Sequence, residues 1–180
     1  MTSSEIDDRA QAILAEYADR CGMDSVPIPV DVLAIASELG LTVMEAKFKN
    51  PALSGAITPK DDAFTVYLNR EQAMTRRRFT LAHEIGHFIL HLDQGKSTGT
   101  YTDDSRSLSL FRGQGLGVRE QEIDANRFAA ALLMPTSEVV QRLERFVGDV
   151  DTYALAQEFW VSQLAMEIRL QTVRGIGIFA

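Results

Sequence analysis

Five residues, His83-Glu84-Ile85-Gly86-His87, constrain this chain more than any other feature, because they lie inside RRRFTLAHEIGHFILH, a run patterned as one amphipathic helix. Phe79, Ala82, Ile85, Gly86, Ile89 and Leu90 recur at the three- and four-residue spacing of a buried stripe, so periodicity argues for helix without help from the motif. On such a helix His83 and His87 stand about 40° apart in azimuth and roughly 6 Å apart along the axis, and both imidazoles reach one cation. Glu84 projects beside them, placed to take a proton from a water at that cation, and HExxH is the spacing in which zinc hydrolases arrange these groups. All three histidines of the chain lie between positions 83 and 91 on an otherwise apolar helix. That concentration points to a site rather than to chance on a solvated face.

A catalytic zinc needs a third protein ligand and leaves one position to water. His91 continues the same face but lies about 12 Å along the axis from His83, too far to join the others on an unbroken helix. It reads as a helix-end or supporting residue near the negative end of the helix dipole. Cys21 sits far upstream in a helix-like segment and reads as a packed thiol. The second strongly patterned helix, REQEIDANRFAAALLMP, carries the stripe Ala125, Phe128, Ala129, Leu132 and Leu133 and stops at Pro135. Among its acids, steps of about 100° per residue put Glu122 within roughly 50° of the stripe's centre, and Glu120 and Asp124 on the far side. A carboxylate at the edge of a buried face needs a partner, and two kinds are available. One is a metal dication; the other is an arginine from Arg76 to Arg78, or Arg119. Asn126, one turn after Glu122, could orient it or cap a loop.

The run Arg78-Phe79-Thr80-Leu81-Ala82-His83-Glu84-Ile85-Gly86-His87, the later Glu122-Ile123-Asp124-Ala125-Asn126-Arg127-Phe128-Ala129 and the closing Leu132-Leu133-Met134-Pro135 resemble the ImmA/IrrE family of metallopeptidases. The likeness extends to PVDVLAIASELGLTV, LSGAIT and VYLN upstream and to LAQEFWVSQLAMEIRL downstream, from about Pro27 to Leu170; the two-helix combination is its specific part. Members of that family are typically intracellular zinc-dependent proteases, often encoded beside a helix-turn-helix repressor of the XRE or Cro/CI type that they cut. Carried over position by position, the resemblance implies His83, His87 and Glu122 as zinc ligands and Glu84 as general base. The stretch from Asp93 to Arg119 is long for the pattern, which leaves the geometry between the two helices open.

Composition sets the class. With 180 residues, 46% hydrophobic and 24% charged, the chain suits one domain with enough apolar side chains for a core. Its start, MTSSEIDDRAQ, is acidic and lacks an apolar centre, unlike a secretory signal, and no run reaches transmembrane length. One cysteine excludes an internal disulfide framework, in keeping with a reducing, cytoplasmic compartment. The net charge of -7 argues against broad phosphate-backbone binding and would suit a basic protein partner.

Along the chain, Ile6, Ala10, Ile13, Leu14, Tyr17 and Cys21 form a helical stripe opened by the capping spacing Thr2 to Glu5 and closed by Gly22. A short helix follows from Asp31 to Leu39, stopped by Gly40. Three strand-like runs, Leu41 to Glu45, Leu53 to Thr58 and Phe64 to Leu68, are separated by Asn50-Pro51 and Pro59 to Asp62. In zinc proteases an edge strand commonly pairs with the substrate backbone beside the metal, and the resemblance implies that role for part of Phe64 to Asn69; a plain sheet edge is the alternative. The loop from Asp93 to Arg119 holds one apolar run, Leu108 to Phe111, and must border or cover the cleft. Tyr101 within it is a candidate donor to the oxyanion, and it stays outside the proposed site residues.

After Pro135 the chain reads as helical, with a stripe Val139, Val140, Leu143, Phe146 and Val147. Two short helices joined at Trp160-Val161-Ser162 are patterned like a helix-turn-helix, with Ser162 as N-cap. Asp151, Glu158 and Glu167 outnumber Arg169 and Arg174 there, so no basic footprint exists, and Phe159, Trp160, Met166 and Ile168 read as packing residues. Arg76-Arg77-Arg78 reads as a solvated face.

These readings give an α+β chain: a small three-stranded sheet packed on helices that carry an HExxH zinc site, in one domain over residues 1–180, with a helical C-terminal part from about residue 136. The expected activity is zinc-dependent peptide-bond hydrolysis directed at a regulatory protein, an XRE-family repressor encoded nearby, so that its cleavage relieves repression. No membrane partner and no direct nucleic-acid binding are expected. The alternative is a zinc-dependent sensor or toxin-like module that sequesters its regulator without cutting it.

Overall fold

The structure is a computed structural model in which residues 1–60, 63–92, 101–104, 116–145 and 150–175 are described. The first helix, α1 (Ser3–Arg20), begins where the sequence asks. Thr2 accepts from the Glu5 amide at 3.3 Å while the Glu5 carboxylate accepts from the Thr2 amide at 2.8 Å, so the capping box satisfies two amides that a helix start would leave without partners. Gly22 and Gly40 both take positive φ, +64° and +74°, and end α1 and α2 (Val32–Glu38) with a conformation that a Cβ would oppose. Cys21 is the exposed C-cap of α1, not the packed thiol expected, because the buried stripe ends at Ala18.

The three expected strands are β1 (Leu41–Ala46), β2 (Leu53–Lys60) and β3 (Ala63–Asn69). β2 and β3 pair antiparallel, and β1 lies parallel to β3 with Val43 opposite Val66. A fourth strand, β4 (Tyr101–Asp104), comes from the stretch read as loop and pairs with β2, giving the order β1-β3-β2-β4. Four residues are too short to show an alternating pattern, which is why sequence periodicity missed it. The order also corrects the edge-strand expectation: β3 has a partner on both sides, so among the described residues the open edges belong to β1 and β4. Tyr101 opens β4 opposite Ile57; its side chain, like the run Leu108 to Phe111 and residues Phe146 and Val147, lies outside the described part.

Helix α3 (Met74–His87) crosses the sheet and packs most extensively against α4 (Leu116–Leu133). Beyond His87 the winding widens to a π-helical turn at Phe88–Leu92, so the histidine-bearing segment is not one regular helix. The helices α5 (Thr136–Leu143), α6 (Thr152–Glu158) and α7 (Gln163–Gly175) complete the chain. Buried residues from both ends, Ile6 of α1 and Val173 of α7 included, belong to one continuous core with Ile57, Val66, Leu81, Ile85 and Phe128.

Two arginines tie the helices across that core. Arg169 of α7, only 2% exposed, donates to the Met134 carbonyl at 2.9 Å, to both Asp7 oxygens at 3.1 and 3.2 Å, and to Thr136 Oγ1 at 2.9 Å. Arg78 is also buried, a correction to the solvated face expected of the arginine triplet. It donates to the Val30 carbonyl at 2.9 Å and the Trp160 carbonyl at 3.3 Å, and its guanidinium stands 4.6 Å from the Trp160 ring centre. Desolvation on burial lowers its pKa. Its two neighbours serve β1 and β2: Arg77 pairs with Glu45, and Arg76 donates to Ser54 Oγ. The α6–α7 turn follows the helix-turn-helix pattern, with Ser162 Oγ capping the Ala165 amide at 3.2 Å and Trp160 at φ +54°. Met166 and Phe159 are core residues, whereas Ile168 is 49% exposed, against expectation, because the buried face of α7 runs through Met166, Arg169, Leu170 and Val173.

Candidate metal centre

The two patterned helices bring three donors together. His83 and His87 of α3 and Glu122 of α4 each offer one ligand atom, and these atoms lie within 4.8 Å of one another. Their separations are short: His83 Nε2 to His87 Nε2 is 3.0 Å, His83 Nε2 to Glu122 Oε2 is 3.3 Å, and His87 Nε2 to Glu122 Oε1 is 3.2 Å. All three residues are buried. The sequence leaves Glu122 open between a metal and an arginine; in the structure its two carboxylate oxygens lie against His83 Nε2 and His87 Nε2. Glu122 faces imidazoles.

A glycine makes the convergence possible. A Cβ added to Gly86 would stand 3.1 Å from both the Cα and the carbonyl oxygen of Ala125 and 3.2 Å from Phe128 Cδ1. The central glycine of the pentapeptide therefore lets α3 lie directly on the α4 backbone, one turn from Glu122.

The charge states follow from burial. Desolvation pushes the His87 imidazole down to about 4, even though its hydrogen bond with Glu122 works the other way. Desolvation would raise the Glu122 carboxyl, but the hydrogen bonds and charge of His83 and His87 outweigh it and bring the group down to about 2. At neutral pH His87 is thus neutral and Glu122 ionised, which are the forms that ligate metals. His83 Nδ1 lies 3.1 Å from Asn126 Oδ1; with the proton on Nδ1 donated to that oxygen, Nε2 keeps its lone pair towards the cluster. Asn126 orients His83, not Glu122. Lone-pair nitrogens 3.0 Å apart beside a carboxylate repel one another unless a cation lies between them, so the donor set fits a divalent metal.

Glu84 is 0% exposed and turns towards β2. A Cβ on Gly55 would come 2.4 Å from Thr80 Cγ2 and 3.4 Å from Glu84 Oε1, so the absence of a side chain at Gly55 lets the strand lie against the Glu84 carboxylate. A glycine inside a strand pattern is the sequence signal of such an approach, and Gly55 carries it. His91 does not join the donor set. Its ring stands 5.7 Å from that of His87, burial lowers its pKa, and it hydrogen-bonds the backbone of Gln121, the residue before Glu122. That is the supporting position expected of it.

Asp124, assigned to the far side of α4, lies outside the donor group, yet it is buried. The Met1 ammonium sits 3.2 Å from it and Arg127 at 3.9 Å, because the opposite face of α4 is covered by α1.

Over 94 residues the chain is 36% identical to the radiation response metalloprotease IrrE of Deinococcus radiodurans, a match covering 51% of this chain and 25% of that protein. A solved Mycobacterium tuberculosis transcriptional regulator shares the fold with a TM-score of 0.61 at 17% identity, over 91% of this chain and 45% of that one. The chain thus spans a quarter of the curated relative and under half of the solved structure. Residues 36–171 match the family model described as Peptidase_M78, IrrE N-terminal-like domain, and because that match takes in most of the chain, the protein belongs to this metallopeptidase family.

Proposed function

We propose that the protein is a zinc-dependent endopeptidase that cuts one regulatory protein, a helix-turn-helix repressor of the XRE type, and so relieves repression. The observation that carries the reading is the convergence of His83, His87 and Glu122 at 3.0 to 3.3 Å, with Glu84 buried one residue from His83. Zinc suits this spacing, since nitrogen and oxygen ligands about 2.0–2.1 Å from a tetrahedral ion stand roughly 3.3–3.4 Å from one another. Once bound, zinc would bring the pKa of water towards neutrality and polarise a peptide carbonyl.

The chain's own residues do the rest. His83, fixed by Asn126, and His87 present Nε2, and Glu122 presents its carboxylate. Glu84 takes the proton from the attacking water and returns it to the departing amine. Burial between α3 and β2 keeps bulk water from competing for that proton. Repressor cleavage is supported by the family membership, and the two similar proteins, one a radiation response metalloprotease and the other a transcriptional regulator, are compatible with it. Residues 1–180 act as one peptidase domain in this reading, supported by the continuous core from α1 to α7. No described helix is long and apolar enough to cross a membrane, and we place the activity in the cytoplasm.

Elemental analysis of the purified chain is the test. One zinc per chain is expected, with metal content falling sharply in His87→Ala and Glu122→Ala and unchanged in Asp124→Ala. Full zinc in Glu122→Ala with loss in Asp124→Ala would overturn the ligand assignment.

A further inference from the structure

A groove of about 450 Å³ runs between α1, α3, α4 and α7, and the proposed chemistry does not use it. Among the described residues its floor includes Phe79, Ile123, Ala130 and Ala165, together with Leu164 and Ile168, which are 62% and 49% exposed. Leu164 and Ile168 are four residues apart and so share one face of α7, opposite the face that buries Met166 and Val173. The helix is apolar on two sides, and only one of them faces the core.

Charge surrounds this floor unevenly. Among the described residues the lining holds Arg76, Arg119, Arg127 and Arg169 against a single acid, Asp7; Asp7 and Arg169 pair with each other and Arg76 donates to Ser54, so Arg119 and Arg127 set the charge of the rim. Arg119 is exposed, and the Arg127 side chain is 48% exposed with only a 3.9 Å approach to Asp124, whose nearer partner is the Met1 ammonium. On a chain of net charge -7 this is a cationic rim around an apolar floor. The arrangement favours a ligand that is apolar on one side and acidic on the other.

We propose that this groove is a docking site for an acidic amphipathic segment of a protein partner, whose apolar side chains rest on Phe79, Ile123, Leu164 and Ile168 while its carboxylates meet Arg119 and Arg127. A nucleic-acid backbone would satisfy the arginines but leave Leu164 and Ile168 in water. Asn126 lines the same groove and holds His83, so a partner seated there lies beside the donor cluster. The proposal concerns binding and does not depend on hydrolysis.

The test uses the full chain and fluorescein-labelled peptides of equal length, read by anisotropy. One peptide has leucine on one helical face and glutamate on the other; a second replaces every glutamate with lysine; a third keeps the glutamates and replaces leucine with serine. Only the first should bind. Its affinity should fall on the order of tenfold in Arg119→Glu/Arg127→Glu, with a flatter salt dependence, and should largely survive in Arg119→Lys/Arg127→Lys. Ile168→Asp should abolish binding, and because Ile168 is half exposed the variant should keep the wild-type melting temperature. Equal binding of the lysine peptide, or retention of the first peptide by Ile168→Asp, would overturn the proposal. So would a short DNA duplex that outcompetes the acidic peptide, or a chain that dimerises through this face and loses the dimer in Ile168→Asp.

Discussion

Gly86 rests on Ala125 so closely that a methyl group at position 86 would stand 3.1 Å from the Ala125 Cα. In Gly86→Ala, helix propensity gains about 1 kcal/mol, but forcing a methyl against backbone that cannot rotate away costs about 1–3 kcal/mol. The second effect wins. The expected outcome is a lower melting temperature and, because α3 and α4 separate where Glu122 meets the histidines, a larger loss of zinc than of stability. Thermal denaturation with and without zinc measures both; a more stable Gly86→Ala with unaltered zinc content would contradict the packing argument.

Asn126→Ala removes the acceptor that holds His83 Nδ1. Zinc affinity should drop about 10–100-fold, the usual consequence of deleting the group behind a ligating histidine, with the fold intact because Asn126 is only half buried. Titration against a chromophoric chelator reads the change. Asn126→Asp, which keeps an acceptor, should recover most of the affinity.

Arg169→Met leaves Asp7 without its counter-charge, held by the Thr136 hydroxyl alone among the contacts described, and removes the donor from the Met134 carbonyl. Breaking one side of a buried pair costs on the order of 3–5 kcal/mol, so urea denaturation should show a loss of that order. The double variant Asp7→Ala/Arg169→Met should regain part of it, since no charge is then stranded. Zinc content per folded molecule should not change in either, because the network ties α1, α5 and α7 and includes neither the three donors nor Asn126.

Signals carried by one residue or one period were legible in the sequence. Thr2 with Glu5, Gly22 and Gly40 marked helix ends because capping and positive φ are local requirements. The pentapeptide and the stripe beginning at Ala125 identified the two helices of the site, since their apolar faces repeat over several turns. What escaped was set by tertiary contact. Whether β3 has neighbours on both sides depends on which strands β1 and β2 join, and no alternation in Phe64 to Asn69 records that. Arg78 carries no local mark of burial; it is inside because two carbonyls, those of Val30 and Trp160, wait there for a donor. Asp124 is buried because α1 covers its side of α4 and brings the Met1 ammonium to it, a contact that the sequence could not record. The widened turn at Phe88–Leu92 also changes the phase on which the reading of His91 relied.

The most direct test of the central claim is intact-mass spectrometry of a helix-turn-helix repressor encoded beside this gene, after co-expression with the wild-type chain or with Glu84→Gln. Glu84→Gln keeps the three metal donors and removes only the proton acceptor. The account predicts one discrete pair of fragments, summing to the repressor plus one water, with the wild type, and an uncut repressor with a Glu84→Gln chain that still carries zinc. The same fragments from Glu84→Gln, or an intact repressor inactivated equally by both chains, would contradict it.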